Sequence, residues 1–180
     1  KIILIFLIYF LQFLNLSSNE HKLEEIIKGL NNPWSLSFMT EEDVLITEKS
    51  GSLLKINLTN KKINKFTHNL NILEDGQGGL LEVLFKNNEI YVSYSENRGG
   101  GKSSTSVAKA LITNSNLNFK NIFRAEPPIN SGYHFGSRLV IKDNHLFITA
   151  GERGKGMIAQ DAQKHPGSII RINLDGSIPN

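Results

Sequence analysis

Hydrophobic and polar residues alternate in short runs along most of the chain, and Gly, Asn, Asp and Ser separate the runs. Alternation with a period of two is typical of β-strands with one buried face, and the turn residues between the runs favour hairpins. Many of the runs carry β-branched or aromatic residues, which pack well on a pleated surface. The pattern therefore predicts an all-β protein built from short strands.

Three segments repeat one layout, in which an alternating strand and a second apolar strand follow each other across a polar turn. They are Pro33–Gly51, Gly78–Glu96 and Phe135–Gly154. The first-strand markers, which are 45 and 58 residues apart, are Leu36, Leu81 and Leu139. The second-strand markers, which are 46 and 56 residues apart, are Ile46, Val92 and Ile148. Outer strands are predicted at Leu53–Leu58, Ile63–Thr67, Val107–Thr113, Ile122–Ala125 and Ser168–Leu174. Units of this size predict the four-stranded blades of a β-propeller, and a sandwich of irregular hairpins is the alternative.

The loops that lead into the innermost strands of a propeller surround one mouth of its channel. Gln77 lies four positions before Leu81, and His134 lies five positions before Leu139. The repeat therefore predicts that both side chains converge on one pocket. A partly solvated histidine titrates near neutrality and can act as a general base. A histidine held by local backbone hydrogen bonds is the alternative.

The stretch GQGGLLEV places Gln77 among glycines, where a ligand can approach the main chain. Its amide can donate and accept hydrogen bonds at once, although a tight turn between blades explains the pattern equally. After the third repeat, a short helix is predicted around residues 157–162, over the channel mouth. Glu152, Asp161 and His165 match no metal-ligand spacing, and no metal site is predicted in this chain.

The amino-acid composition limits the kinds of partner and chemistry to expect. The formal charge is +3 with scattered Lys and Arg, so no nucleic-acid partner is expected, and the absence of Cys excludes disulfides and thiolate chemistry.

The N-terminus has one lysine, an apolar run over Ile2–Leu14 and then small polar residues, which predicts a signal peptide at residues 1–18. The protein is therefore expected to be periplasmic or secreted, with membrane contact only through an uncleaved signal sequence. The first residue is Lys and the last stretch is turn-rich, so residues 19–180 are interpreted as a propeller domain truncated at its C-terminus.

An ordered set of stretches resembles the glucose/sorbosone dehydrogenase family, in particular its soluble aldose sugar dehydrogenases. They are NNPWSLSF, LITEKSGSLLKI, GQGGLLEV, YVSYSE, IFRAEPPINSGYHFGSRLV, LFITAGERG, AQD and IIRINLDGSIP. The resemblance implies a six-bladed β-propeller, of which this chain covers about the first three blades. It also implies pyrroloquinoline quinone (PQQ) as cofactor, with calcium beside it, an aldose sugar as substrate and an external electron acceptor.

For individual residues, the resemblance implies that His134 is the general base that takes the proton of the anomeric hydroxyl, and that Gln77 lies near the sugar and quinone oxygens. Tyr133 replaces an acidic residue of the glucose-oxidising relatives, which favours a broader range of aldoses. The quinone clamp and most calcium ligands are expected in later blades, so the 180-residue chain alone is expected to be inactive. A non-catalytic propeller that binds carbohydrate or protein is the alternative. A propeller lactonase would need inward calcium ligands, which the sequence does not offer.

Overall fold

The computed structural model describes residues 22–180, whose regular elements are β-strands and one short 3-10 helix. The predicted signal peptide at residues 1–18 lies outside the described residues. Within the described part, no helix is long and apolar enough to cross a membrane.

The strands form three sheets that are antiparallel apart from one pair, and the connections follow the predicted repeat. Blade 1 contains β1 (Pro33–Phe38), β2 (Asp43–Glu48), β3 (Leu53–Asn57) and β4 (Ile63–His68). Blade 2 contains β5 (Leu80–Lys86), β6 (Glu89–Asn97), β7 (Ser103–Leu111) and, after the short strand β8 (Asn116–Leu117), β9 (Lys120–Arg124). Blade 3 contains β10 (Gly136–Lys142), β11 (His145–Ala150) and β12 (Ser168–Asn173). The all-β propeller prediction is confirmed, with three blades present.

Strand β8 departs from the repeat because it joins the sheet of the other blade. It lies between β7 and β9 in the chain, but it pairs in parallel with β4 of blade 1. The carbonyl of Ser115 accepts a 2.9 Å hydrogen bond from the N–H of Thr67 next to this pairing. Leu117 is buried beneath the junction. A connection of blade 2 therefore forms the fifth strand of blade 1.

Each innermost strand carries one bulge near its start, which corrects the register read from the sequence. In β1 and β10, Leu36 pairs with Ile46 and Leu139 pairs with Ile148. In β5 the residue paired with Val92 is Val83, and Leu81 lies inside the bulge. The extra residue of a bulge shifts the alternation of side chains. Counting leucines along the sequence therefore selects Leu81, although the residue at this register position is Val83, two residues later. With Val83 as the marker, the position equivalent to His134 is Gly78 rather than Gln77.

Buried hydroxyl groups connect the bulges of β5 and β10 to the preceding blade. Thr47 on β2 donates a 2.5 Å hydrogen bond to the carbonyl of Leu81, and Ser93 on β6 donates a 2.6 Å hydrogen bond to the carbonyl of Ser137. These bonds satisfy carbonyls that the bulges remove from strand pairing. They also fix the points from which the channel-mouth loops lead into β5 and β10.

Apolar side chains fill the two spaces between adjacent blades. Leu45 and Leu53 pack with Val83 and Val92 between blades 1 and 2, and Tyr91 and Val107 pack with residues of blade 3. The outer faces of blades 1 and 3 remain open, with large exposed side chains at Trp34, Leu36, Phe38, Val140 and Ile169. Packing on both faces makes blade 2 the most enclosed part of the fold.

Candidate functional site

Two loops build the site, and they meet through glycines. The loop before β5 contributes residues 75–79, and the loop before β10 contributes residues 131–135. The N–H of Gln77 donates a 2.7 Å hydrogen bond to the carbonyl of Gly132. A Cβ atom at Gly76, where φ is +53°, would lie 2.4 Å from that same carbonyl oxygen. Only glycine fits this contact, so the close approach of the loops depends on Gly76.

Gln77 and His134 are in direct contact, as the sequence repeat predicts. The side-chain Oε1 of Gln77 accepts a 2.8 Å hydrogen bond from the backbone N–H of His134. His134 has a φ of +49°, a left-handed conformation that is uncommon outside glycine. Its backbone turns where the amide of Gln77 holds it, so Gln77 shapes the turn that presents the imidazole.

The imidazole itself is bound by Glu152, which the sequence reasoning did not assign to the site. Nδ1 of His134 bonds to Oε1 of Glu152, which lies two residues after the end of β11. The hydrogen bond with His134 holds the pKa of the Glu152 carboxyl below its usual range, and the N–H of Gly154 supports it. An ionised carboxylate can only accept a hydrogen bond, so in the neutral imidazole Nδ1 carries the proton and Nε2 has the lone pair. The sequence contains one signal for this pair, a carboxylate at the end of the second strand of the same blade.

Unused polar groups surround the imidazole. Among the described residues, none hydrogen-bonds to Nε2 of His134, to the hydroxyl of Tyr133 or to the amide nitrogen of Gln77. The Tyr133 ring lies edge-on to the imidazole, with ring centroids 6.2 Å apart, and the residue is 60% exposed. All three residues named from the sequence therefore lie on one solvent-accessible surface.

This arrangement can move a proton. A neutral imidazole whose Nδ1–H is held by a carboxylate presents Nε2 as a base with a fixed direction. The protein keeps the His134 side chain 53% exposed, so a substrate hydroxyl can reach it. The same geometry also occurs in surface His–Glu pairs without catalytic roles, so the surrounding free donors and acceptors matter for the interpretation.

Two further features bear on ligand binding: a surface groove and the arrangement of possible metal ligands. A groove of about 840 Å³ lies on the open face of blade 1 against Trp34, Leu36 and Phe38, away from His134. Within residues 22–180, no group of three or more acidic or histidine side chains could hold a metal ion.

Residues 30–180 match a family model described as Glucose / Sorbosone dehydrogenase. The chain belongs to this family. Aldose sugar dehydrogenase YliI of Escherichia coli (strain K12) is 32% identical over 168 residues, which cover 88% of this chain and 45% of that protein. Quinoprotein glucose dehydrogenase B of Acinetobacter calcoaceticus is 26% identical, with 93% and 42% covered.

Among solved structures, the apo form of the soluble aldose sugar dehydrogenase of Escherichia coli superposes with a TM-score of 0.82 at 32% identity. That match covers 87% of this chain and 48% of the other. The chain thus spans about half the length of these members of the glucose/sorbosone dehydrogenase family, and it matches the fold of the solved structure over that part.

Proposed function

We propose that this chain is part of a PQQ-dependent dehydrogenase that oxidises the anomeric hydroxyl of aldose sugars. The observation that carries the proposal is the His134–Glu152 pair, in which Nδ1 faces the carboxylate and Nε2 bonds to none of the described residues, on the same surface as the exposed Gln77 amide. Oxidation of a hydroxyl carbon by hydride loss requires a base for the hydroxyl proton, and Nε2 meets that requirement. The names of the relatives, an aldose sugar dehydrogenase and a quinoprotein glucose dehydrogenase, support the substrate class and the cofactor.

The described residues fit the reacting edge of such a site. Three free polar groups, on His134, Gln77 and Tyr133, are available as partners for the oxygens of a quinone and a sugar. Bound PQQ would supply the two-electron acceptor of the reaction. Gln77 would hold it here through its free amide nitrogen.

In this proposal each residue has a separate task. Nε2 of His134 accepts the proton of the anomeric hydroxyl, and Glu152 stabilises the imidazolium that results. Gln77 donates from its amide nitrogen to a sugar or quinone oxygen, while its Oε1 keeps the His134 turn in place. Tyr133 offers an aromatic edge and a neutral hydroxyl to the sugar, without the charge that would restrict the choice of aldose. The lactone leaves, and an external acceptor takes up the electrons. A periplasmic or secreted location agrees with the proposed substrate.

The test is reconstitution of the full natural protein that contains this chain. The apoprotein is titrated with PQQ and calcium, and reduction of a dye is measured with a panel of aldoses. His134→Ala is expected to lower kcat by about 10²–10⁴-fold while PQQ binding is retained. His145→Ala, at the start of β11, is the matched control and should retain activity. Unchanged turnover in His134→Ala would contradict the proposal, and sugar binding without dye reduction in the wild type would favour a non-catalytic propeller.

A further inference from the structure

Arg153 is a buried guanidinium next to the site, and the function proposed above does not use it. The residue is 2% exposed and follows Glu152 in the chain. Within residues 22–180, none of the ion pairs includes it, and the guanidinium lies 3.6 Å from the centroid of the Phe135 ring. A buried cation without a carboxylate partner is costly unless hydrogen bonds compensate for the lost water.

The compensating hydrogen bonds go to the backbone of the His134 loop and to one serine. Nε donates to the carbonyl of Tyr133 at 2.9 Å, and Nη2 donates to the carbonyl of Ser131. Nη1 and Nη2 also donate to the carbonyl and hydroxyl of Ser103, at 3.0 Å and 2.9 Å. Burial lowers the pKa of Arg153 to about 10, and the charge of Asp75 acts in the opposite direction. The group therefore stays protonated at neutral pH, and hydrogen bonds from a charged donor are the stronger kind.

Two neighbouring contacts join the loop after β11 to the loop before β10. Glu152 bonds to the imidazole of His134, and the next residue, Arg153, bonds to the carbonyl of Tyr133, the residue before His134. The backbone N–H of Arg153 also approaches the carbonyl of His134 at 3.4 Å. Two adjacent residues of one loop thus bind two adjacent residues of the other. A two-point attachment fixes orientation as well as distance, which a single His–Glu bond on an exposed surface does not.

We propose that Arg153 is a positioning residue, which holds the backbone of the His134 turn so that the imidazole keeps its Nδ1–H on Glu152 and its Nε2 toward the ligand. The inference rests on the proposed function only for its effect on turnover. Its structural content is the tautomer and orientation of one imidazole. That content can be measured without cofactor or sugar.

The decisive experiment is nitrogen-15 NMR of the histidine side chains in the purified apoprotein, because nitrogen shifts distinguish the two neutral tautomers. In the wild type, His134 is expected to be protonated at Nδ1. In Arg153→Lys, which keeps the charge but loses the planar set of donors, a substantial fraction of the Nε2–H tautomer is expected. Arg171→Lys is the matched control, since Arg171 is exposed on β12 of the same blade, and its spectrum should equal the wild type. An unchanged His134 tautomer in folded Arg153→Lys would overturn the proposal.

Two further measurements keep the inference testable if Arg153→Lys does not fold. In the wild type, the Nε–H of Arg153 should exchange with solvent at least 10²-fold more slowly than that of Arg171, and equal rates would overturn the proposal. Ser103→Ala removes one acceptor and should shift the tautomer in the same direction by a smaller amount.

In the reconstituted full protein, Arg153→Lys should lower kcat about tenfold with PQQ affinity unchanged. A wild type without dye reduction would reject the proposed function and leave the tautomer result standing.

Discussion

Glu152 and His134 are 18 residues apart in the chain, and the connection of β10 to β11 brings their side chains together at the channel mouth. The antiparallel hairpin places the start of β10 beside the end of β11, with Gly136 paired to Ala150. A residue just before β10 and a residue just after β11 are therefore neighbours by topology. The pair is a consequence of the hairpin as much as of the two side chains.

Replacing the carboxylate tests whether the pair sets the tautomer. Glu152→Gln keeps the size but loses the charge, and the amide can also offer a donor to Nδ1. We expect kcat of the reconstituted full protein to fall about 10–10²-fold, because the imidazolium loses its counter-charge. The pH profile of kcat/KM is the measurement. Glu41→Gln, on the exposed turn after β1, is the control. An unchanged profile would show that Glu152 is not part of the proton path.

Gly76 offers a sharp test of the loop contact. Gly76→Ala should destabilise the fold by about 2–4 kcal/mol, because a left-handed Ala costs about 1–2 kcal/mol and the new methyl group also meets the carbonyl of Gly132. Gly99→Ala is the matched control, since Gly99 has a φ of +79° and nothing within 4 Å of the added atom. Urea unfolding of both variants gives the difference. Equal losses would mean that the loops do not need this close approach.

Gln77 has two tasks that one substitution separates. Gln77→Glu retains an acceptor for the His134 N–H but replaces the amide donor with a second acceptor. We expect stability within about 0.5 kcal/mol of the wild type and a loss of about tenfold in kcat/KM, since a ligand oxygen loses its partner. Gln163→Glu, in the exposed connection before β12, serves as control. A variant with full activity would remove Gln77 from the list of binding residues.

The stability of blade 2 should depend on pH through Glu96. This buried carboxylate bonds to Arg124 and Ser106. Burial raises its pKa, but the hydrogen bonds and charge of these partners outweigh burial, so the pKa lies below its usual value. A lowered folded-state pKa means stability that is present above the unfolded-state pKa and is lost as the pH falls through the folded-state value.

We therefore expect the free energy of unfolding of the wild type to fall between about pH 5 and pH 3, and that of Glu96→Gln to be lower at neutral pH but flatter with pH. The loss at neutral pH should be about 1–3 kcal/mol, because Arg124 is half exposed and its charge is partly solvated. Glu126→Gln, whose carboxylate is 49% exposed, should change little. Parallel curves for the wild type and Glu96→Gln would contradict this account.

The sequence pattern predicted the strands well where burial follows hydrophobicity. Strand β7 shows where it failed: the predicted start was Val107, but the strand begins at Ser103. Residues 103–106 are polar yet buried, and they are satisfied by partners that only the fold supplies, such as the carbonyl of Phe135, which accepts a 2.7 Å bond from Thr105. A hydroxyl in a core cannot be distinguished from a hydroxyl in a loop without its partner.

The site residues also divide into those that could be predicted from the sequence and those that could not. The contact of Gln77 with His134 could be predicted, because both lie before innermost strands, although the bulge in β5 shows that their positions are not equivalent in the register. Glu152 and Arg153 could not, because their spacing depends on hairpin geometry and not on a motif. The predicted helix at residues 157–162 is a 3-10 helix at Gly156–Gln160, since glycines at 154 and 156 disfavour a longer α-helix.

Strand β8 has a consequence for how the molecule comes apart. Since a connection within blade 2 completes the sheet of blade 1, neither blade can open fully without breaking backbone hydrogen bonds of the other. Blades 1 and 2 should therefore act as one cooperative unit in native-state hydrogen exchange, with amides of β4 and β7 opening together. Blade 3 has no such exchange of strands and is joined by side-chain packing, hydroxyl bonds and the site itself. The site would then lie on the boundary between two units of different cooperativity, with Gln77 on the side of blade 2 and His134 on the side of blade 3.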